Sequence, residues 1–397
     1  MDLNELTRRC AALLAGNQVQ SGAFRYTRPA PETYEHQWLW DSCFHAITYR
    51  WFDPQMAQDE LWSLVQHQFT AGDDAGLIPH MTYWQGDGTR LWARPDRSTI
   101  TQPPLIGIAA LLVYEKTADR DFLASLYPYL VRYHEWFDRR RDPDGDDLVS
   151  IIHPWESGWD ASPRWDAPMH LHHPSVQETH DARDAHMPIL HAYGHDAQKL
   201  AEDGYFCVES VEFNAIRVAD LQALARIAAI LNQPAGVWTS RAAAITAAIQ
   251  QKFITPSGIF DLSGPDETPI QVPSSAPFIL LLGACVDPAT AAALVQQMNS
   301  DRFWPTYPVP TTPTDHPAFV GDHYWRGNVW MSVNWLIYTG LRTMGYTAEA
   351  RELAYRSLDL VEQHGFYEYF NPLTGHGNGP AQQSWTAVVL DMIATAT

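Results

Sequence analysis

Between Trp155 and Asp166 the chain reads Trp-Glu-Ser-Gly-Trp-Asp-Ala-Ser-Pro-Arg-Trp-Asp, three carboxylates among three indoles with a glycine turn between them. An indole offers a flat apolar face to the C–H side of a pyranose ring. A carboxyl group held against apolar walls keeps its proton nearer neutral pH. Glu368 repeats the pattern near the other end, in Gly365-Phe366-Tyr367-Glu368-Tyr369-Phe370-Asn371-Pro372. Cleaving a glycosidic bond needs a proton for the leaving oxygen and a nucleophile for the anomeric carbon, so two carboxyl groups must face each other across the bond. Asp160, desolvated by Trp155 and Trp159, is expected to be the acid. Glu368, between Tyr367 and Tyr369, is expected to be the base.

Other clusters suit sugar binding. Trp38-Leu39-Trp40-Asp41-Ser42 sets indoles beside an acid that can accept two hydroxyls, although Asp41-Ser42 could instead cap a following helix. Gln102-Pro103-Pro104 places an amide, both donor and acceptor, at a helix entrance. Tyr324-Trp325-Arg326-Gly327-Asn328-Val329-Trp330 adds aromatics and a cation, and Gln382-Gln383-Ser384-Trp385 closes the set. Each cluster lies just before an expected helix, and a ring of helices would carry them all to one face.

The periodicity supports such a ring. Apolar residues recur at i, i+3 or i+4 over 3–15, 56–69, 105–114, 122–139, 211–231, 237–253, 289–298, 329–341 and 347–364. Strand signals are few, and about a dozen helices with aromatic-rich loops predict an all-α toroid. Trp304 to Pro317 holds five prolines and is read as an extended rim loop. The stretch Asp142-Pro143-Asp144-Gly145-Asp146-Asp147 resembles part of a calcium loop but lacks its distal Glu, position 153 being His, so a plain turn is expected.

With 397 residues, 46 % of them hydrophobic, the chain can bury a large core, and it is read as one domain over 1–397. A formal charge of −20 repels a phosphate backbone, so nucleic acid is not expected as a partner. Cys10, Cys43, Cys207 and Cys285 are scattered without a CxxC pair, as expected of reduced thiols in the cytoplasm. The apolar run 277–286 is too short to span a bilayer. No membrane, cofactor or metal is expected, the partner being a small carbohydrate; a homo-oligomer is compatible with this composition.

Taken in order, Trp38-Leu39-Trp40-Asp41-Ser42, Gln102-Pro103-Pro104, Glu156-Ser157-Gly158-Trp159-Asp160, Tyr324 to Trp330 and Tyr367-Glu368-Tyr369-Phe370-Asn371-Pro372 resemble the motifs of glycoside hydrolase family 63 over nearly the whole chain. Compact members of that family hydrolyse mannosylglycerate and glucosylglycerate. The resemblance implies an (α/α)6 barrel and an inverting mechanism on α-glycosides, with Asp160 as acid and Glu368 as base. It also implies a sugar pocket lined by Trp40, Asp41, Gln102, Trp159, Tyr324, Trp325, Trp330 and Gln383. Ala161 departs from the pattern, since relatives often carry Asn there. A glycerate carboxylate would call for a cation, for which Arg164, Arg183 and Arg326 are candidates. Three rival readings remain open to test: a sugar epimerase using paired histidines, a metal site in the His-rich stretch 170–195, and a carbohydrate-binding protein without turnover.

Overall fold

Six helical segments that are apolar on nearly every side form the inner wall of the molecule, and six one-faced helices surround them. A computed structural model describes residues 1–396. Its α-helices are α1 (Leu3–Asn17), α2 (Leu39–Tyr49), α3 (Pro54–Val65), α4 (Thr89–Trp92), α5 (Ile106–Thr117), α6 (Arg120–Arg140), α7 (Val176–Ala192), α8 (Ala197–Glu202), α9 (Val211–Ile230), α10 (Gly236–Lys252), α11 (Pro288–Met298), α12 (Met331–Thr343), α13 (Thr347–His364) and α14 (Val389–Thr395). The inner ring runs α2, α5, α9, the 3-10 segment Ala276–Leu281, α12, and the 3-10 segment Ser384–Val388 that continues into α14; Ser384–Val388 then packs on α2 and closes the circle. The outer partners are α3, α6, α10, α11, α13 and α1. This is the expected (α/α)6 toroid.

Burial explains the two rings. Every residue of α2 is buried, whereas α6 buries Leu123, Leu126, Leu130, Tyr133 and Phe137 along one stripe. Outer helices start at polar caps: Asp53 accepts from Met56 N ahead of Pro54, Asp119 from Phe122 N, and Asp287 from the amides of Ala289 and Thr290. All nine helices expected from periodicity are present, that over 56–69 starting two residues earlier and ending at Val65. The longest of the helices that periodicity did not announce are α2 and α7. Uniform apolarity hides α2, and α7 occupies ground read as loop, its start marked by a capping box of Ser175 and Glu178.

Short strands pin the loops at one mouth of the ring. Gln37–Trp38 pairs with Met81–Thr82, Tyr369–Phe370 with Gly377–Asn378, and Ser150–Ile151 joins a four-stranded sheet through Val208–Glu209. The four cysteines are buried and unpaired. Among the described residues no helix is long and apolar enough to cross a membrane.

Candidate active site

The loops that enter α2, α5, α12 and Ser384–Val388 meet the 158–160 turn and Glu368, which precedes the 369–378 hairpin, around a cavity of about 140 Å³. At roughly 30 Å³ per water that is room for four or five waters, the scale of a single sugar ring. Asp160 and Glu368 both face it, with Trp40, Asp41, Gln102, Tyr324, Trp325 and Gln383.

Asp160 follows a 3-10 turn (Pro154–Ser157) that ends at Gly158 with φ 73°. A Cβ on Gly158 would lie 2.6 Å from the Trp40 ring, so glycine lets the acid-bearing turn press on an indole. Tyr324 donates its hydroxyl to Asp160 Oδ2 at 3.2 Å. Burial raises the Asp160 pKa to about 6, opposed by the Arg183 charge and the Tyr324 hydrogen bond.

Glu368 enters from the strand side of the mouth and is 4 % exposed. Tyr34 donates to its Oε1 at 2.8 Å. Burial pushes Glu368 up to about 8, with the Asp160 charge adding to the rise and the Tyr34 hydrogen bond opposing it. Asp41 lies in the first turn of α2, where the helix dipole favours an anion. Burial and then the Glu368 charge still hold its pKa well above the usual carboxylate range. The capping alternative for Asp41 fails, because Trp38 is the N-cap of α2 and no side chain caps that end. Gln102 Oε1 accepts from the Trp40 backbone N–H at 3.3 Å, which ties the amide to the first turn of α2.

Two expected lining residues are corrected. Trp159 and Trp330 do not line the cavity; both stack on Trp325, with ring centroids at 5.6 Å and 10° for Trp159 and 3.6 Å and 1° for Trp330. Their stacking holds the Trp325 plane in place. The stack continues through Arg164, whose guanidinium lies 4.8 Å from the Trp159 ring and 4.2 Å from that of Trp165. Arg164 is itself held by Glu212 and Asp261, and Arg326 by Asp166. Neither cation is free for a substrate. Arg183 differs: it donates to the Asp160 carbonyl at 3.1 Å, and its Nε is buried without a partner. Of the carboxylates in the Trp155–Asp166 strip only Asp160 faces the cavity, because Glu156 is paired with Arg141 and accepts from the amides of Thr101 and Ile152.

Sequence reasoning missed Tyr34, His80 and Trp92 as wall residues. Trp38 and Trp92 pack edge-on against the His80 ring, which burial keeps neutral with its pKa down to about 3. The proximity of Trp92 to Arg90 and Arg94 in a polar loop gave no local signal. The His-rich stretch does not face the cavity. His180 is exposed on α7, while His186 and His195 are buried, His186 on the Ile152 carbonyl at 3.0 Å. Among the described residues the histidines form no metal-ligand group, and His80 is the one histidine in the cavity wall.

Comparison with known proteins gives the family. Residues 34–386 match the family described as mannosylglycerate hydrolase MGH1-like glycoside hydrolase domain. The chain is 33 % identical to a mannosylglycerate hydrolase of Rubrobacter radiotolerans, over 92 % of each chain. It is 28 % identical to a glucosylglycerate hydrolase of Mycolicibacterium hassiacum, over 98 % of each. The crystal structure of a GH63 mannosylglycerate hydrolase from Thermus thermophilus in complex with Tris and D-glycerate superposes with a TM-score of 0.89 at 29 % identity, covering 98 % of this chain and 100 % of that one.

Proposed function

Starting from the fact that the chain belongs to the MGH1-like glycoside hydrolase family, within family 63, and is a glycoside hydrolase, we propose that it cleaves a small α-mannoside or α-glucoside of glycerate by a single inverting displacement. The observation that carries this reading is the convergence of Asp160 and Glu368, from distant loops, on one indole-walled cavity of sugar size. In the proposal the sugar ring rests against Trp40 and Trp325 while Asp41, Gln102 and Gln383 take its hydroxyls. Asp160 protonates the glycosidic oxygen, and Glu368 deprotonates a water on the opposite face. Names of relatives at 33 % and 28 % identity support a glycerate aglycone. Arg183 supports it too, as a guanidinium beside the acid with a hydrogen-bonding nitrogen to spare.

A second reading exchanges the two roles, and one observation favours it. Glu368, at about 8, holds a proton more tightly than Asp160, at about 6. The proton shared by two coupled carboxyl groups belongs to the pair, so the order alone does not assign the roles.

The test is to incubate the enzyme with α-mannosylglycerate, α-glucosylglycerate, trehalose and short α-glucans and to follow the first anomer released by NMR. A β-anomer appearing first from one of the two glycerate glycosides is the expected result. An α-anomer first would refute inversion, and cleavage of the neutral glycosides alone would refute the glycerate aglycone.

A further inference from the structure

Asp322 is exposed and stands outside the cavity wall, yet it lies where the segments that serve the two carboxyl groups meet. It opens the turn Asp322-His323-Tyr324, whose tyrosine donates its hydroxyl to Asp160 Oδ2 at 3.2 Å. Asp322 and Tyr324 have φ of 65° and 41°. A bulky side chain holds that left-handed region only where its surroundings impose it.

Two sets of bonds impose it here. Asn328, fully buried, accepts from the Asp322 N–H at 3.1 Å through Oδ1 and donates from Nδ2 to the Tyr324 carbonyl at 2.8 Å, so one amide clasps both ends of the turn. The other set comes from the hairpin that follows Glu368. Asn371 and Asn378 both donate from Nδ2 to Asp322 Oδ1, at 3.0 and 2.9 Å. Asn371 Oδ1 accepts from the amides of Leu373 and Thr374, so its Nδ2 must face Asp322, where a carboxylate can only accept. A backbone bridge between Val329 and Phe370 joins the same two segments past the turn, and Asp322 adds the contact on the turn itself.

We propose that Asp322 is a positioning residue for Asp160: gripped by the hairpin that follows Glu368, it holds the turn that aims the Tyr324 hydroxyl at the Asp160 carboxyl group. The part Asp160 plays in the displacement rests on the function proposed above; the coupling of Asp322 to Tyr324 does not depend on which carboxyl group gives the proton. Without the grip the turn relaxes toward ordinary φ values, the hydroxyl leaves Oδ2, and the Asp160 carboxyl group is free to rotate. A misplacement of about 1 Å at a reacting group costs up to about a hundredfold in rate.

The experiment is a double-mutant cycle on the full-length enzyme, read as kcat on the glycoside it turns over best and accompanied by thermal melts. Tyr324→Phe should lower kcat by about 10- to 150-fold, the range for losing a hydrogen bond to a charged group. Asp322→Ala alters an exposed side chain and so spares the fold; it should lower kcat at least about fivefold and change KM less. In the Tyr324→Phe background the further loss from Asp322→Ala should shrink below about twofold, because the hydroxyl it aims is already gone. Asp322→Asn keeps a carbonyl oxygen with two lone pairs for both amide donors and should stay within about threefold of the wild type. Equal losses from Asp322→Ala with and without the Tyr324 hydroxyl would overturn the proposal, since the residue would then act through the Glu368 hairpin alone. So would a lowered Tm with kcat unchanged, or Asp322→Asn as slow as Asp322→Ala. Failure of the Asp160 assignment shows elsewhere, as an Asp160→Asn loss equally large on an activated aryl glycoside and on an unactivated one.

Discussion

Replacing Asp160 by Asn, and reading the result on two leaving groups, decides which carboxyl group gives up the proton. Asp160 lies at about 6 and Glu368 at about 8, a gap of about two pH units. Part of that gap is the Asp160 charge acting on Glu368, so it gives the order in which the pair loses its protons and not the residue on which a single proton sits. If Asp160 is the acid, the reactive form carries that proton on Asp160, and a bound sugar that hydrogen-bonds the Glu368 carboxylate favours it. A pH–rate profile cannot tell this form from exchanged roles, because both arrangements carry one proton. A leaving group can. On an unactivated glycoside, Asp160→Asn should lower kcat by about 10²–10⁴, the range for loss of general-acid catalysis. On the 2,4-dinitrophenyl glycoside of the same sugar, whose phenolate departs unprotonated, the loss should shrink to less than about tenfold. Glu368→Gln should lose about 10²–10⁴ on both, since water still needs its base. The assay pairs phenolate absorbance with sugar release. Rescue of Glu368→Gln, rather than Asp160→Asn, by the activated substrate would refute the assignment and establish the reversed pair.

Other outcomes follow from the same geometry. The kcat/KM of the wild type should be bell-shaped, highest near pH 7, falling below about 6 as the pair gains a second proton and above about 8 as it loses its only one. Tyr34→Phe removes a hydrogen bond that holds the Glu368 pKa down, so the alkaline limb should move up by roughly one pH unit. A limb that stays in place or moves down would contradict the bond's sign. Gly158→Ala forces a Cβ to within 2.6 Å of Trp40 at a φ of 73°; about 1–3 kcal/mol of stability should be lost in urea unfolding, with a raised KM. Arg183→Met should raise KM for a glycerate glycoside by roughly 10- to 150-fold, worth about 1.5–3 kcal/mol, and leave a neutral aryl glycoside nearly unaffected. Equal losses on both substrates would make Arg183 a support for the Asp160 loop instead.

How far the sequence could be read depended on which ring an element joined. Outer helices face water on one side, so α6 and α13 carry the apolar stripe that periodicity detects. Inner helices are apolar on every side and lose that signature, which is why α2 stood out only through Trp40 and Asp41 at its entrance. The carboxyl pair was legible because its chemistry demands particular residue types in aromatic surroundings. Trp159 and Trp330 show where that logic stops. An indole that lines a cavity and an indole that braces it have the same composition and spacing, and only the stacking on Trp325 separates them. Tyr34 shows the converse, since a lone tyrosine in a loop announces nothing until Glu368 arrives at 2.8 Å from the far end of the chain. Local chemistry can thus be read from the chain wherever one segment supplies all its parts. Contacts that close a site from another segment follow from the ring, because its closure brings loops distant in sequence to one mouth.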